Sequence, residues 1–338
     1  MMKYKILILG AGWYGCHIGL HLKEQGHDIK IYEKSNKIFN RASGKNQFRL
    51  HQGYHYPRSL KTIEEIKKNF FKFKKKYKKF ITIPKQNIYC IARDHSLIDF
   101  GTYINILKSN NLPFKKMNLN FLKNIEGSVQ VNEGVLQNSK IIRFFKNKIG
   151  KNITFKREIK DLSKIRQKFD FVIDCSNNTR QNYFKKSIKY VLTISFVYKK
   201  KSGKTAFPVT IMDGKLPSIY PYSDKKNYFT LTHSNYTHIK SFNSFEKLNQ
   251  FKKNIKKIQI NKRQKFAEKS IKCFYSNFDD IFSYKSYFFS YKVLSKDKTD
   301  QRPTFHIRDK NILSLFSAKI ANIFSAEEIV DKFINDKK

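Results

Sequence analysis

Ten residues near the start of the chain constrain its fold most, the run Ile6-Leu-Ile-Leu-Gly-Ala-Gly-Trp-Tyr-Gly15. The apolar residues predict a buried β-strand, and the Gly-x-Gly-x-x-Gly turn leads from it directly into a helix. Gly10 permits the tight turn, Gly12 lets a pyrophosphate approach the backbone, and Gly15 lets the helix pack close to the sheet. Because the first N–H groups of such a helix attract anions, the segment predicts a dinucleotide site.

The next residues complete a βαβ unit. Residues 16–25 have helical spacing, Gly26 ends the helix, and Asp28–Tyr32 reads as a second strand that leads into Glu33. A carboxylate at this position accepts the hydroxyls of an adenosine ribose and disfavours a 2′-phosphate. The motif alone leaves NAD and FAD open, and the alternative is a glycine turn in a Rossmann-like fold that holds no ligand.

The charge of the chain suggests anionic partners. The 338 residues include 69 Lys and Arg against 26 Asp and Glu, a net charge of +43. The lysines are spread along the whole chain among Asn, Ile, Phe and Tyr, and no nucleic-acid-binding motif accompanies them. We therefore expect attraction for a small anionic substrate and weak binding of polyanions, without specific nucleic-acid recognition.

The cysteines and the apolar segments bear on the compartment. Cys16, Cys90, Cys175 and Cys273 are far apart and form no Cys-x-x-Cys or Cys/His cluster. This pattern predicts neither a metal site nor a disulfide framework, and it fits a reducing cytoplasm. The apolar run at the N-terminus is short and belongs to the first strand, and no stretch has the length of a membrane span. The expectation is a cytoplasmic protein.

The order of the predicted elements indicates two lobes. Residues 60–80 predict an amphipathic helix whose apolar face includes Ile63, Ile66, Phe70, Phe73 and Tyr77. Residues 188–240 alternate between apolar and polar positions, as in an antiparallel sheet. The other predicted elements are strands at 86–93, 152–159, 169–175, 284–293 and 311–316, and helices at 96–109, 139–149 and 243–272. Ser325 and Glu328 have the spacing of a capping box for a last helix.

We interpret this order as an α/β fold, a Rossmann-like dinucleotide domain with a second, mainly antiparallel-sheet substrate domain. The first domain is discontinuous, with residues 1–85, 125–185 and 293–338, and the second comprises residues 86–124 and 186–292. Chemistry is expected between the two lobes, at the carboxyl ends of the parallel strands.

Three separated segments resemble the D-amino-acid-oxidase-like (DAO) superfamily of FAD-dependent oxidoreductases. The first is the glycine turn with Glu33. The second is Arg41-Ala-Ser-x-x-Asn-Gln-x-Arg-x-His-x-Gly-Tyr-His-Tyr56, similar to the family segment that runs along the flavin. The third is Asp300-Gln-Arg-Pro303 followed by Leu313–Ile320, similar to the Arg-Pro element and the loop that closes over the isoalloxazine. The resemblance covers essentially the whole chain and implies an FAD-binding domain of the DAO type.

The resemblance also implies which residues contact FAD. These are Gly10, Ala11, Gly12, Trp13, Tyr14, Gly15, Glu33, Lys34, Arg41, Ser43, Asn46, Gln47, His51, Ile159, Ser176, Ser317, Lys319 and Ile320. The chain departs from the family where Asn177 replaces a glycine, and where Ser317 and Ala318 replace paired glycines before Lys319. At the second place we expect the backbone to approach the flavin less closely.

Three residues are candidates for binding the substrate or taking part in its reaction. Arg302 is the first choice for an anion clamp and Arg49 the second, because a guanidinium offers a planar fork to a carboxylate or phosphate. His51 is the candidate nearest the flavin, as general base, substrate-orienting group or covalent tether, or as a purely structural imidazole. Other residues that could face the cleft, or simply pack, are Tyr54, His55, Tyr56, Tyr220, Tyr222 and His233.

The leading hypothesis is an FAD-dependent oxidoreductase that oxidises a C–N or C–OH bond of a small anionic metabolite by hydride transfer to flavin N5. Its electron acceptor is oxygen or another molecule. One alternative is a redox-neutral flavoenzyme of the sugar-mutase kind. The other is a non-catalytic nucleotide- or polyanion-binding protein on a flavoprotein scaffold.

Overall fold

The computed structural model describes residues 2–177, 188–296, 304–317 and 319–336. Arg302 and Ala318 therefore lie outside the described residues. Within these ranges the strands are β1 (Lys5–Leu9), β2 (Asp28–Tyr32), β3 (Arg49–Leu50), β4 (Ile81–Thr82), β5 (Ile88–Ala92), β6 (Phe114–Met117), β7 (Ile125–Val131), β8 (Gly134–Leu136), β9 (Ile153–Thr154), β10 (Phe171–Asp174), β11 (Ile188–Lys200), β12 (Val209–Met212), β13 (Pro217–Pro221), β14 (Tyr228–His233), β15 (His238–Phe242), β16 (Phe282–Ser295), β17 (Phe305–Asp309) and β18 (Ile312–Phe316).

The helices of the same ranges connect and cover the sheets. They are α1 (Trp13–Glu24), α2 (Leu60–Tyr77), α3 (Phe100–Ser109), α4 (Asn138–Ile149), α5 (Leu162–Arg166), α6 (Phe245–Lys253), α7 (Lys257–Lys272), α8 (Phe278–Ile281) and α9 (Ile323–Asn335). Most of these elements match the predicted ones in position and type.

A six-stranded sheet carries the glycine turn. Its strand order is β17-β18-β10-β1-β2-β9, and all neighbours are parallel except the β17–β18 pair. The chain leaves β1 for β2 on one side, whereas β10 and β18 lie on the other, so the strand order reverses at β1. The carboxyl end of β1 is therefore the topological switch point at which open α/β sheets bind ligands.

Helices α1, α2, α4 and α9 pack with one face of this sheet into a shared hydrophobic core. The predicted apolar positions of α2 are confirmed, since Ile63, Ile66, Phe70, Phe73 and Tyr77 are all buried. The aromatic ring of Trp13 lies in the same core, against Phe39, Phe73, Tyr77 and Phe145. This packing fixes the start of α1, and with it the glycine turn, against the sheet.

A nine-stranded sheet forms most of the second lobe. Its order is β15-β11-β14-β13-β12-β5-β7-β6, and β16 pairs along the length of β11. One face is apolar and packs on α7 and α8. Strands β11, β14 and β16 contribute the opposite face to a cavity between the two sheets. A fold with a parallel nucleotide-binding sheet and a mainly antiparallel second sheet is what the sequence predicted.

Three predicted boundaries differ from the structure. Strand β7 (Ile125–Val131) pairs with β5 and β6, so it lies in the large sheet and not in the dinucleotide domain. The strand predicted at 152–159 is only Ile153–Thr154, because Lys156 adopts a positive φ of 55° that turns the chain away from β2.

The predicted capping box of the last helix is also wrong. Helix α9 begins at Ile323 with Asn322 as its N-cap, so Ser325 lies inside the first turn. The two predicted capping side chains bind α2 instead. Asn69 donates to the Ser325 hydroxyl at 3.0 Å, and Lys72 forms an ion pair with Glu328. Ser325 and Glu328 therefore make tertiary contacts with α2 and do not cap α9.

Candidate active site

A cavity of about 710 Å³ opens at the carboxyl end of β1 and runs between the two sheets. One end is lined by Gly10, Glu33 and Ile159, and the other by His51, Lys319 and Arg49. Of the described residues implied to contact FAD, every one except Gly15 lines this cavity. The volume lies in the range of pockets that enclose cofactors and drug-sized ligands.

The glycine turn leaves no room for side chains. Gly10 has a φ of +98°, in the region that favours glycine. A Cβ on Gly15 would lie 1.8 Å from the Gly10 carbonyl oxygen. Only glycine therefore fits at position 15, although this residue does not line the cavity. The N–H of Trp13 donates to Ser43 Oγ at 3.0 Å, and a Cβ on Gly12 would meet the same oxygen at 3.0 Å. The start of α1 and the Ser43 hydroxyl thus line one concave surface.

Glu33 ties the second strand to the glycine turn. Its buried carboxylate accepts hydrogen bonds from the Ala11 N–H at 2.7 Å and from the N–H and hydroxyl of Ser35 at 2.8 and 2.7 Å. A carboxylate has about four acceptor positions, so one is left for a ligand hydroxyl. Beside it, Lys34 pairs with Glu158 at 3.3 Å, and burial together with the charge of Arg41 lowers the pKa of Lys34.

The loop that follows β2 is shaped by its own amides. Asn46 donates to the carbonyls of Ala42 and Ser43 at 2.8 and 3.2 Å, and its oxygen accepts from the Phe48 N–H at 2.5 Å. Gln47 donates to the Thr230 carbonyl on β14 at 3.3 Å. The loop is therefore fixed both to itself and to the second lobe, and it forms the wall between the two ends of the cavity.

Lys319 and His51 define the far end of the cavity. The Lys319 ammonium lies 4.2 Å from the centre of the Tyr56 ring, and its carbonyl accepts from the Tyr14 hydroxyl at 2.5 Å. Burial, followed by the charge of Arg49, lowers the pKa of Lys319 to about 7. The His51 ring stacks on His55 at 5.3 Å between centres. Burial and the charges of Lys319 and Arg49 hold the pKa of His51 well below its usual value, so His51 is neutral near pH 7.

Arg49 is buried beneath this end. It donates to Ser218 Oγ at 2.7 Å and to the Tyr89 hydroxyl at 3.3 Å, and its guanidinium lies 3.8 Å from the Tyr220 ring centre. Among the described residues its Nε–H has no hydrogen-bond partner. Arg49 is thus not a surface ion pair, since it is 7% exposed and lines the cavity.

Sequence reasoning missed Glu133, the carboxylate beside this cluster. Glu133 is fully buried and accepts from the Tyr89 hydroxyl at 2.5 Å and from the Gln52 N–H at 2.8 Å. Its Oε2 also lies 3.5 Å from His51 Nδ1. Burial raises the pKa of Glu133, and the charge of Arg49 opposes that rise. An acidic residue isolated between the apolar strands β7 and β8 was the available signal.

Several candidate residues belong to the packing and not to the cavity wall. Tyr54 is buried and donates to the Pro113 carbonyl at 2.5 Å. Tyr222 stacks on Phe288, and His233 packs against Tyr236. His55 and Tyr56 do line the cavity, whereas Tyr220 lies beneath Arg49.

Comparisons with known proteins agree with this architecture. The family model described as FAD dependent oxidoreductase (DAO) matches residues 5–146. The chain is 29% identical to the FAD-dependent monooxygenase FPY4 of Fusarium mangiferae, over 98% of this chain and 91% of that protein. It is 27% identical to the FAD-dependent monooxygenase kojA of Aspergillus flavus, over 99% of this chain and 86% of that protein.

Solved structures share the fold at low sequence identity. Glycine oxidase from Geobacillus kaustophilus matches with a TM-score of 0.70 at 11% identity, covering 100% of this chain and 96% of that one. L-alpha-glycerophosphate oxidase from Mycoplasma pneumoniae, solved with FAD bound, matches with a TM-score of 0.68 at 13% identity, covering 99% and 95%. The chain is similar to the D-amino-acid-oxidase-like superfamily of FAD-dependent oxidoreductases in the family model over residues 5–146 and in its curated relatives. It is an FAD-dependent oxidoreductase, and its cofactor is FAD.

The residues present fit FAD. A single elongated cavity joins the glycine turn to Lys319, as a two-part dinucleotide requires. The turn has no side chain where a diphosphate would lie, and Asn177 accepts the positive φ of 60° at the position of the family glycine. At the other end the Lys319 side chain lines the cavity, and a cation there would stabilise a reduced flavin. Among the described residues, no helix is long and apolar enough to cross a membrane.

Proposed function

We propose that the protein oxidises a C–N or C–OH bond of a small anionic metabolite, with FAD held by the residues that line the cavity from Gly10 to Lys319. Bound FAD would supply the two-electron acceptor, taking a hydride at N5 from the carbon that bears the amine or hydroxyl. The proposed lobes are those of the sequence analysis, with β7 moved to the substrate domain. The four free cysteines support a reducing, cytoplasmic location.

One observation carries the proposal. Arg49, Lys292 and Lys319 line the same cavity as His51, and their positive charges lower the pKa of His51. The buried carboxylate beside them, Glu133, is occupied by hydrogen bonds from Tyr89 and Gln52. Arg49 is buried, Lys319 is partly buried and Lys292 is exposed, and holding the buried part of this charge away from water is costly unless an anion offsets it. An anionic substrate would supply that charge.

The side chains at this end then have separate roles. Arg49 would bind the anionic group through its unpartnered Nε–H, because its other nitrogens are held by Tyr89 and Ser218. Neutral His51 would accept the proton released from the hydroxyl or ammonium of the substrate. Its ring nitrogen Nδ1 faces Glu133, so Glu133 would stabilise the imidazolium that forms.

A substrate panel tests the proposal. The purified protein, loaded with FAD, is mixed under anaerobic conditions with both enantiomers of a set of amino acids and hydroxy acids. The visible absorption of the flavin is followed. We expect bleaching by at least one anionic compound, and formation of one keto or imino product per flavin. Conversion of a compound with no net bleaching would support redox-neutral chemistry instead. Failure of the protein to bind FAD would contradict the proposal.

A monooxygenase reaction is the second candidate, because FPY4 and kojA, which match over nearly the whole chain, are named as monooxygenases. The two reactions differ in their stoichiometry of oxygen and reductant. An oxidase passes the substrate's two electrons to oxygen and releases one hydrogen peroxide per product. A monooxygenase needs a separate reductant such as NADPH and places one atom of oxygen in the product. Labelled oxygen gas, with and without NADPH, distinguishes them.

A further inference from the structure

A row of hydroxyl side chains crosses the large sheet on the face toward the cavity. Thr210 on β12 pairs in register with Ser218 on β13, and Ser218 pairs with Thr232 on β14. The hydroxyls of Thr210 and Ser218 lie 3.1 Å apart, and Arg49 donates to Ser218 at 2.7 Å. The row therefore begins at the arginine that we propose as the anion clamp, and Thr232 brings it into the cavity.

The row continues onto the long strand pair β11–β16. Thr193 and Ser195 alternate with Ile194 and Phe196, which lie in the apolar core on the other face. Thr193 faces Ser290 of β16, with their hydroxyl oxygens 2.8 Å apart. We call the four cavity-lining members, Thr193, Ser195, Thr232 and Ser290, the hydroxyl wall.

The hydroxyl wall keeps hydrogen-bonding capacity for a ligand. Within the described ranges, the hydroxyls of Ser195 and Thr232 make no hydrogen bond to the protein, whereas Thr237 nearby uses its hydroxyl on the His233 backbone. A buried hydroxyl that loses water without gaining a partner costs free energy. An apolar substrate body against this wall would impose that cost at two positions, and a polyol body would not.

We propose that the substrate is a polyhydroxylated carboxylate of the sugar-acid type, with its carboxylate at Arg49 and its hydroxyl groups on the hydroxyl wall. The assignment of the reacting carbon of the substrate rests on the proposed function. The assignment of the other hydroxyl groups of the substrate rests on the hydroxyl wall alone. A chain of hydroxyls suits the wall because each can donate to one side chain and accept from the next. Sites built this way discriminate strongly against analogues that lack the hydroxyls.

Two matched pairs of compounds test it on the FAD-loaded protein. Gluconate is compared with 2-hydroxyhexanoate, and 2-amino-2-deoxygluconate with norleucine. Each pair shares the carboxylate and the oxidisable group and differs only in the hydroxyls on carbons 3 to 6. Binding is measured by calorimetry without oxygen, and oxidation by flavin bleaching. We expect the hydroxylated member of at least one pair to bind about a hundredfold tighter.

Variants of the wall locate the effect. Ser195→Ala and Thr232→Val should each weaken binding of the hydroxylated compound about five- to tenfold and leave the deoxy compound unchanged. Ser286→Ala, on the exposed part of β16, is the matched control and should change neither. Equal or tighter binding of the deoxy members, or wall variants that weaken both members alike, would overturn the inference.

The outcomes separate this inference from the proposed function. Bleaching by the deoxy acids with no preference for hydroxyls would support the oxidation and overturn the sugar-acid assignment. Tight, wall-dependent binding of gluconate with no bleaching by either hydroxylated compound would support the assignment and count against the oxidation. If no member of either pair binds, the assignment is overturned.

Discussion

The two ends of the cavity are built in opposite ways. At the glycine turn, backbone groups and short side chains line the cavity, and the Glu33 carboxylate accepts three hydrogen bonds from Ala11 and Ser35 of the chain itself. At the other end, long charged side chains are buried, and the pKa values of Lys319 and His51 are displaced from their ordinary values. The first end is complementary in shape to a ligand that stays bound. The second end holds uncompensated charge for a ligand that turns over.

Because of this difference, we expect substitutions at the two ends to impair different properties of the protein. Damage to the turn should release FAD and lower the stability of the fold. Damage at the reactive end should alter affinity for anions and the response to pH while FAD stays bound.

Gly15→Ala should have the largest effect. The new methyl group would meet the Gly10 carbonyl oxygen at 1.8 Å, and backbone on both sides prevents a local adjustment. Overpacking of this kind costs about 1–3 kcal/mol, so FAD affinity should fall by about one to two orders of magnitude. Fluorescence titration with FAD and thermal unfolding measure both effects. Gly150→Ala is the control, because a Cβ there meets nothing within 4 Å. Equal behaviour of the two variants would show that the turn is not rigid.

Lys319→Met tests the reactive end. With a pKa of about 7, Lys319 is charged at pH 6 and neutral at pH 8, so an anion should bind less tightly as the pH rises. We expect the dissociation constant of acetate, followed through the flavin spectrum, to increase from pH 6 to pH 8 in the native protein. In the variant it should be about thirtyfold weaker at pH 6 and nearly independent of pH. FAD affinity should change little.

The matched control for that experiment is Lys285→Met, which removes a lysine from the exposed part of β16. It changes the net charge by the same amount and should leave the pH profile of acetate binding intact. If it shifts the profile as much as Lys319→Met does, the general charge of the protein is responsible and not the buried ammonium.

Glu133→Gln should weaken the fold while sparing the nucleotide end. The change removes a buried carboxylate that offsets part of the charge of Arg49 and accepts from Tyr89 and Gln52, and breaking a buried charged network of this kind costs about 3 kcal/mol. Chemical denaturation should report that loss of unfolding free energy. The control is the exposed Glu64→Gln. A variant of full stability would mean that Arg49 is neutralised by another group, and the charge comparison between the two ends would need revision.

The sequence predicted the parts of this site that depend on neighbouring residues. The Gly10–Gly15 turn, the apolar face of α2 and the Arg41–Tyr56 loop each carry their signal within about twenty residues. Such patterns follow from helix and strand periods and from the backbone freedom of glycine, which do not depend on the rest of the fold.

The parts that it did not predict depend on distant segments meeting. Glu133 matters because Tyr89 and Gln52 converge on it, and alternation alone could not tell which face of β11 and β14 borders the cavity. Ser325 was misassigned for the same reason, since only the position of Asn69 on α2 shows what its hydroxyl binds. Pairwise contacts across hundreds of residues have no signature in one sequence.

Ser43→Ala should have the smallest effect and sharpens the comparison most. It removes the hydroxyl that accepts from the Trp13 N–H at the start of α1, a contact that resembles a helix cap worth about 1 kcal/mol. FAD affinity should fall about fivefold, because the start of α1 loses the side chain that fixes it beside the Arg41–Tyr56 loop. Acetate binding should be unchanged, and Ser286→Ala should alter neither. If Ser43→Ala instead changes acetate binding and its pH profile, the two ends of the cavity are coupled through the Arg41–Tyr56 loop and do not act independently.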